Sequence, residues 1–141
     1  MYNILKSLIT SLPAFDHKIE AFLGHPAYIK EYRTIKLSVA RRVGKTTAIA
    51  RLAKEYSYLV VVPNYSMAEE YKRTHRVHAS SSIDSIIDRT RGIHNKGPKY
   101  RGILVDEGFY MPDISILTAH LQISGLLEQD YCILYIGTDT K

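Results

Sequence analysis

The sequence lacks the features that mark secreted and membrane proteins. It contains one cysteine, Cys132, so no disulfide can form within the chain, which suits a reducing compartment. Cys132 lies in an apolar stretch, where a free cysteine is usually a small core residue and not a reactive thiol. No apolar run approaches the ~20 residues of a membrane span, and residues 1–12 carry polar side chains throughout. We therefore expect a soluble cytoplasmic protein that makes no contact with a membrane.

The sequence also has no internal repeat, no linker and no sign of a second domain. Its 141 residues, 45% hydrophobic and 23% charged, are typical of one globular domain. We predict a single domain over residues 1–141, with an N-terminal helical segment at 1–31 and a core at 32–141. The formal net charge of +5 favours an anionic partner, but a nucleotide, a nucleic acid and mere solubility all fit it.

The most informative stretch is residues 38–47, SVARRVGKTT, which lies between an apolar run and a helical pattern. This order predicts a strand, a phosphate-binding loop and a helix whose N-terminus adds free N–H groups. Gly44 lets the backbone approach an anion, Lys45 supplies a charge for the β- and γ-phosphates, and the Thr46 hydroxyl suits Mg²⁺. A usual P-loop has a further glycine five places before Gly44, where this chain has Val39.

Two carboxylates follow a second apolar run. Residues 103–105 (ILV) precede Asp106 and Glu107, as expected of a strand that delivers acids to the phosphate site at the carboxyl edge of a parallel sheet. Asp106 would hold Mg²⁺, usually through water, and Glu107 would polarise the attacking water. Two independent parts of the sequence therefore predict one site for MgATP.

The loop resembles that of a particular family, the ATPase domain of the large terminase subunit, which packages DNA in tailed bacteriophages. That family carries a deviant loop of a small residue, arginine, a polar or basic residue, an apolar residue and Gly-Lys-Thr. The matching residues are Ala40, Arg41, Arg42, Val43, Gly44, Lys45, Thr46 and Thr47. Residues 108–111 (GFYM) and 137–140 (GTDT) are similar to two further motifs. The likeness runs roughly from 36 to 140, and only the loop and the acidic pair are specific.

The resemblance implies a RecA-like P-loop domain, an α/β fold with a mainly parallel sheet flanked by helices, here with N-terminal helices and shortened relative to full-length terminases. It implies an ATPase that uses ATP and Mg²⁺ on or near DNA, in the host cytoplasm if the protein is viral. By this likeness, residues 40–47 and Thr138 bind the nucleotide, Thr46 and Asp106 bind the metal, and Glu107, Arg41 and Lys45 serve catalysis. Arg41 is the candidate for contact with the γ-phosphate.

The chain stops at Lys141, before the final strand, coupling motif and nuclease domain of full-length terminases. We therefore expect weak ATPase activity from the isolated chain, and a protein partner or self-association. Two other functions stay open: a nucleotide-binding interaction module with little or no turnover, and a helicase-like ATPase fragment. DNA-stimulated turnover would separate an enzyme that acts on DNA from a docking module.

Elsewhere, strand-like and helix-like segments alternate, which predicts a parallel α/β sheet. The predicted strands are 34–39, 58–62, 76–79, 102–106 and 131–136, and the predicted helices are 3–12, 15–23, 48–53, 67–73, 80–88 and 113–127. Because the chain ends before a further strand can form, we expect 34–39 to be an edge of the sheet. We also expect the helices of residues 3–23 to pack over that edge.

Basic residues are concentrated between 72 and 101, where they are Lys72, Arg73, Arg76, Arg89, Arg91, Lys96, Lys99 and Arg101, against Asp84 and Asp88. The part from 89 to 101 contains two glycines and a proline, which predicts an exposed loop. Such a loop beside an ATPase sheet could contact a DNA backbone, and a solvated loop is an equally good interpretation.

Four other side chains carry weaker functional signals. Tyr28 or Tyr32 could stack on a nucleotide base, but packing within the protein is the more common use of tyrosine. His75 and His78 have no further ligands at the spacing that a metal site requires. We expect surface histidines there.

Overall fold

A computed structural model of the chain describes residues 1–40, 43–80, 100–107, 115–123 and 125–138. Three helices come first: α1 (Tyr2–Thr10), α2 (His17–Leu23) and α3 (His25–Tyr32). The remaining elements are β1 (Thr34–Val39), α4 (Lys45–Tyr56), β2 (Tyr58–Val61), α5 (Tyr65–Glu70), a π-helical turn (Tyr71–His75), β3 (Ala79–Ser80), β4 (Tyr100–Asp106), α6 (Ser115–Ile123) and β5 (Leu127–Thr138). The described fold is thus mixed α/β.

The five strands form one sheet in the order β1-β5-β4-β2-β3, and every pair is parallel. The carboxyl ends of parallel strands meet at one edge of a sheet. The register brings Val39 on β1 beside Thr138 on β5, and Asp106 on β4 beside Ile136 on β5. The ends of β1, β5 and β4 are therefore adjacent. Thr138 and Asp106 lie at the ends of β5 and β4, and β1 leads directly into the predicted loop.

Helices cover both faces of the sheet, as burial on both sides requires of a parallel sheet. One apolar cluster joins α1, α4 and the π-helical turn to alternate residues of the strands, such as Val60 and Leu104. A second cluster joins α3 and α6 to the other set, such as Leu59 and Ile103. Cys132 is buried in the first cluster, which confirms its assignment to the core.

The prediction that residues 34–39 form an edge strand is confirmed, because β1 stands at the end of the sheet and pairs only with β5 within the described sheet. The N-terminal helices that were expected to pack over this edge are divided between the two faces. α1 packs along α4, while α3 contacts β1 and β5 from the opposite side with α2 beside it. Leu5 of α1 and Ile29 of α3 are thus buried on opposite faces of the sheet, whereas Phe22 of α2 is exposed.

Some predicted boundaries are wrong. α3 is absent from the predicted helices. The residues at its start include Gly24 and Pro26, which usually follow the end of a helix, but Pro26 lies in the first turn of α3, where its missing N–H costs nothing. The predicted helix 67–73 is divided into α5 and the π-helical turn, and the short strand expected at 76–79 is only Ala79–Ser80. Ser80, the first residue of the predicted helix 80–88, belongs to β3, and the last two residues of the predicted loop 89–101 belong to β4. The rest of that helix and loop, residues 81–99, and the motif 108–111 lie outside the described residues.

No helix within the described ranges is long and apolar enough to cross a membrane.

Candidate functional site

Gly44 turns the chain from the loop into α4. Its φ of +79° is left-handed, and its carbonyl accepts the first helical hydrogen bond, from the Ala48 N–H at 2.9 Å. Residues other than glycine rarely adopt this conformation. Because the first N–H groups of a helix have no partner within it, the amides of residues 45–47 are available to a ligand beside the positive end of the helix dipole.

Lys45, the first residue of α4, joins three side chains from the ends of β4 and β5. Its ammonium lies 2.8 Å from Asp106 Oδ1 and donates a hydrogen bond of 2.8 Å to Thr138 Oγ1. It also donates to Glu107 Oε1, which accepts a second hydrogen bond from the Thr138 hydroxyl. Burial lowers the pKa of Lys45, but the hydrogen bonds and charges of Asp106 and Glu107 outweigh this effect, so its pKa is raised. Lys45 therefore stays charged.

Asp106 is the only fully buried charged side chain in the described part of the protein. Its Oδ2 accepts a hydrogen bond of 2.6 Å from the Tyr71 hydroxyl. Its Oδ1 pairs with the Lys45 ammonium at 2.8 Å and has no other partner among the described residues. A buried carboxylate normally needs both ion pairing and hydrogen bonds. One oxygen of Asp106 thus retains capacity to bind a ligand.

Tyr71 is a member of this site that the sequence did not identify. It belongs to the π-helical turn, is 1% exposed, and its hydroxyl also interacts with the Thr46 side chain. Burial first, and then the charge and hydrogen bond of Asp106, raise its pKa, so the hydroxyl remains a neutral donor. Single π-helical turns often mark functional sites. The helical pattern at 67–73 predicts a helix with a buried face. It does not predict that Tyr71 contacts Asp106, which lies 35 positions away in the sequence.

Tyr71→Phe is expected to lower the free energy of unfolding by about 1–3 kcal/mol, because Asp106 Oδ2 is left buried without its described donor. Urea unfolding of the free protein measures this change. Tyr65→Phe is the matched control, since Tyr65 is 70% exposed and loss of its hydroxyl should change stability by less than about 0.5 kcal/mol. Equal effects of the two substitutions would contradict the role of Tyr71.

Glu107 follows β4 directly and has a left-handed φ of +56°. A non-glycine residue pays for this conformation, and such strain is concentrated at functional sites. Burial raises the pKa of Glu107, but the hydrogen bonds from Lys45 and Thr138 have the larger combined effect and lower it. Glu107 is therefore ionised at neutral pH and partly accessible at the carboxyl edge of the sheet.

The structure brings most of the other predicted site residues to the same place. Thr46 and Thr47 lie in the first turn of α4, Ala40 follows β1, and Val43 is an exposed residue before Gly44. Arg41 and Arg42 lie outside the described residues, so their predicted roles stay predictions.

The two tyrosines considered for base stacking pack against each other. Tyr28 is buried, and its hydroxyl accepts a hydrogen bond of 2.9 Å from the Asp16 N–H. Tyr32 stacks on Tyr28 with ring centroids 5.2 Å apart. Tyr28 thus belongs to the core, as the more common use of tyrosine indicated.

The donor set at the carboxyl edge fits a nucleotide-bound magnesium ion better than a metal held by protein alone. Within the described ranges no group of three or more His, Cys, Asp and Glu side chains could hold a metal. Magnesium typically takes one or two protein oxygens and completes its shell with phosphates and water. The Thr46 hydroxyl and Asp106, which both interact with Tyr71, supply oxygens of that kind.

No model of a protein family matches the sequence, and no curated protein matches it.

Proposed function

We propose that this chain binds MgATP and hydrolyses it, as a RecA-like P-loop domain. One observation carries the proposal. Lys45, the first residue of α4 after the left-handed Gly44, forms ion pairs with Asp106 and Glu107. These two carboxylates lie at the end of β4, which is not the neighbour of Lys45 in the sequence. Helix amides, a partly buried cation and two carboxylates together match the requirements of phosphoryl transfer, which are charge neutralisation, a metal ligand and a group that orients water.

Each residue has a part that follows from its position. Lys45 and the amides of residues 45–47 would hold phosphate oxygens, since they are the positive groups of the site. Thr46 and Asp106 would hold Mg²⁺, which supplies charge neutralisation and orientation of the phosphates. Glu107, ionised and fixed by Thr138, would orient the water and accept its proton.

The terminase-like loop supports a narrower form of the proposal, in which the hydrolysis serves movement or packaging of DNA. Arg41, which by resemblance contacts the γ-phosphate, would then stabilise charge in the transition state. The supporting residues are those of the loop and the acidic pair. An interaction module without turnover remains the alternative from another functional class. DNA-stimulated phosphate release favours the enzyme, and MgATP binding without any release favours the module.

The substitution Asp106→Asn tests the metal assignment. Asparagine keeps the shape of the side chain and can still accept the Tyr71 hydrogen bond, but it has no charge for Mg²⁺. We expect the gain in ATP affinity that Mg²⁺ gives to the parent protein to shrink in the variant. Calorimetric titrations with ATP in excess Mg²⁺ and in EDTA measure that gain for each protein. An undiminished gain would contradict the role of Asp106, and a parent protein that binds no ATP would overturn the proposed function.

A further inference from the structure

A surface depression runs along α4 on the side of the π-helical turn, from Thr47 in the first turn of the helix to its C-terminal part. One part of about 510 Å³ is lined by Arg51, Lys54, His75 and Arg76 among others. A second part of about 360 Å³ shares Lys54 and Arg76 with the first and adds His78. We call this surface, defined by these five residues, the basic groove. Between Thr47 and Lys54, both in its lining, α4 rises by about 10 Å.

The only carboxylate in this lining is already neutralised. Glu55 accepts a hydrogen bond from the Tyr2 hydroxyl and pairs with Lys6 at 3.5 Å, both on α1. Arg51 lies over the Tyr2 ring, 3.7 Å from its centroid, a cation–π contact, and its charge also acts on Glu55. One carboxylate thus faces both Lys6 and Arg51. The groove therefore keeps a positive surface.

Lys54 and Arg76, which are common to both parts of the groove, have no carboxylate partner within the described ranges and are exposed. Arg76 ends the π-helical turn with a left-handed φ of +55°. The turn is closed behind it by a hydrogen bond of 3.1 Å from the Val77 N–H to the Tyr71 carbonyl. A defined backbone thus presents the Arg76 side chain opposite α4.

We propose that the basic groove binds the phosphodiester backbone of a nucleic acid through Lys54 and Arg76, with Arg51 beside them. An open, elongated surface with successive cations fits a polyanion with regularly spaced phosphates better than one small anion, because each cation can take a different phosphate. The two cations come from separate elements, so the strand would lie between α4 and the π-helical turn. This proposal does not depend on ATP hydrolysis.

The test is the double variant Lys54→Gln with Arg76→Asn. Glutamine is a good helix former, and asparagine tolerates the left-handed backbone of position 76, so the fold should persist. The matched control is Lys18→Gln with Lys30→Gln, which removes two exposed charges from α2 and α3 on the other side of the sheet. Each protein is titrated with a fluorescein-labelled single-stranded oligonucleotide and its duplex at several salt concentrations.

The salt slope of log affinity should fall by about 1.4 to 1.8 in the groove variant, since each lost phosphate contact removes about 0.7 on a single strand or 0.9 on a duplex. The control variant should keep the parental slope. Equal slopes in parent and groove variant, an equal fall in the control, or no binding by the parent at low salt would each overturn the proposal. Binding of phosphatidylserine vesicles that depends on Lys54 and Arg76, without oligonucleotide binding, would overturn it in favour of a membrane surface.

Calorimetry with MgATP separates this proposal from the nucleotide site. The groove variant should bind MgATP as tightly as the parent. Arg76 contacts the site only through its backbone N–H, which donates to the Tyr71 carbonyl and is kept in the variant, and no described hydrogen bond or ion pair joins the Lys54 or Arg76 side chain to Lys45 or its partners. If the parent binds oligonucleotides with the expected slopes but no MgATP, nucleic-acid binding by the basic groove is supported and the proposed ATPase function is contradicted. If it binds MgATP but no oligonucleotide, the basic-groove proposal is contradicted and the nucleotide site is supported.

Discussion

Lys45→Ala is expected to lower the affinity for MgATP by at least about a hundredfold. The alanine variant lacks the hydrogen bonds that Lys45 would donate to phosphate oxygens. Each bond of this charged type contributes about 1.5–3 kcal/mol. Two such bonds correspond to a factor of about 10² to 10⁴. Calorimetric titration of the parent and the variant measures the change. Lys30→Ala, which removes an exposed charge on α3, should leave the affinity unchanged.

The structure adds a second effect to this substitution. Lys45 is the only described cation paired with Asp106, which is fully buried. Removing one partner of a buried pair leaves an uncompensated charge and costs about 3–5 kcal/mol. Adding Asp106→Asn to Lys45→Ala removes that charge, so stability should largely return while MgATP affinity does not. A single variant that binds MgATP like the parent would contradict the phosphate-binding role of Lys45.

The loop, its helix and the strand before Asp106 could be predicted because each is specified by adjacent residues. Gly44 and Lys45 carry a local signal for a left-handed turn into a helix, and the apolar run before Asp106 carries one for a buried strand. That these two segments converge follows only from the general rule that parallel strands present their carboxyl ends at one edge. The rule was enough to predict the neighbourhood of Lys45 and Asp106.

Features that depend on tertiary context were missed. β5 begins at Leu127, four residues before its predicted start, although Glu128 and Asp130 are poor strand formers. Pairing of Leu127 with Tyr100 on β4 extends the strand there in spite of local preference. The contact between Tyr71 and Asp106 is likewise a result of packing, and the hydrogen bond that holds the predicted metal ligand has no local signature in the sequence.

The largest expected effect on turnover is that of Glu107→Gln. We expect MgATP binding to persist while the rate of phosphate release falls by about 10² to 10⁴, the usual contribution of a general base. The amide oxygen can still accept the hydrogen bond from Thr138, and glutamine meets the same strain as glutamate at the left-handed φ of this position. The substitution thus removes the basic oxygen together with the charge that pairs with Lys45. Single-turnover phosphate release at saturating MgATP, with and without DNA, measures the effect.

Glu31→Gln is the matched control for Glu107, because it makes the same chemical change at an exposed position on α3. Its rate should equal that of the parent. Loss of MgATP affinity in Glu107→Gln along with the rate would instead indicate that Glu107 acts by holding Lys45, with which it forms an ion pair in the free protein. A variant that releases phosphate at the parental rate would exclude Glu107 as the base, because the variant lacks the basic oxygen. Asp106 is the only other described carboxylate that contacts Lys45. Thr138→Val would then test whether the Thr138 hydroxyl, which donates to Glu107 in the free protein, orients the water, and a lower rate in this variant is the result expected of that role.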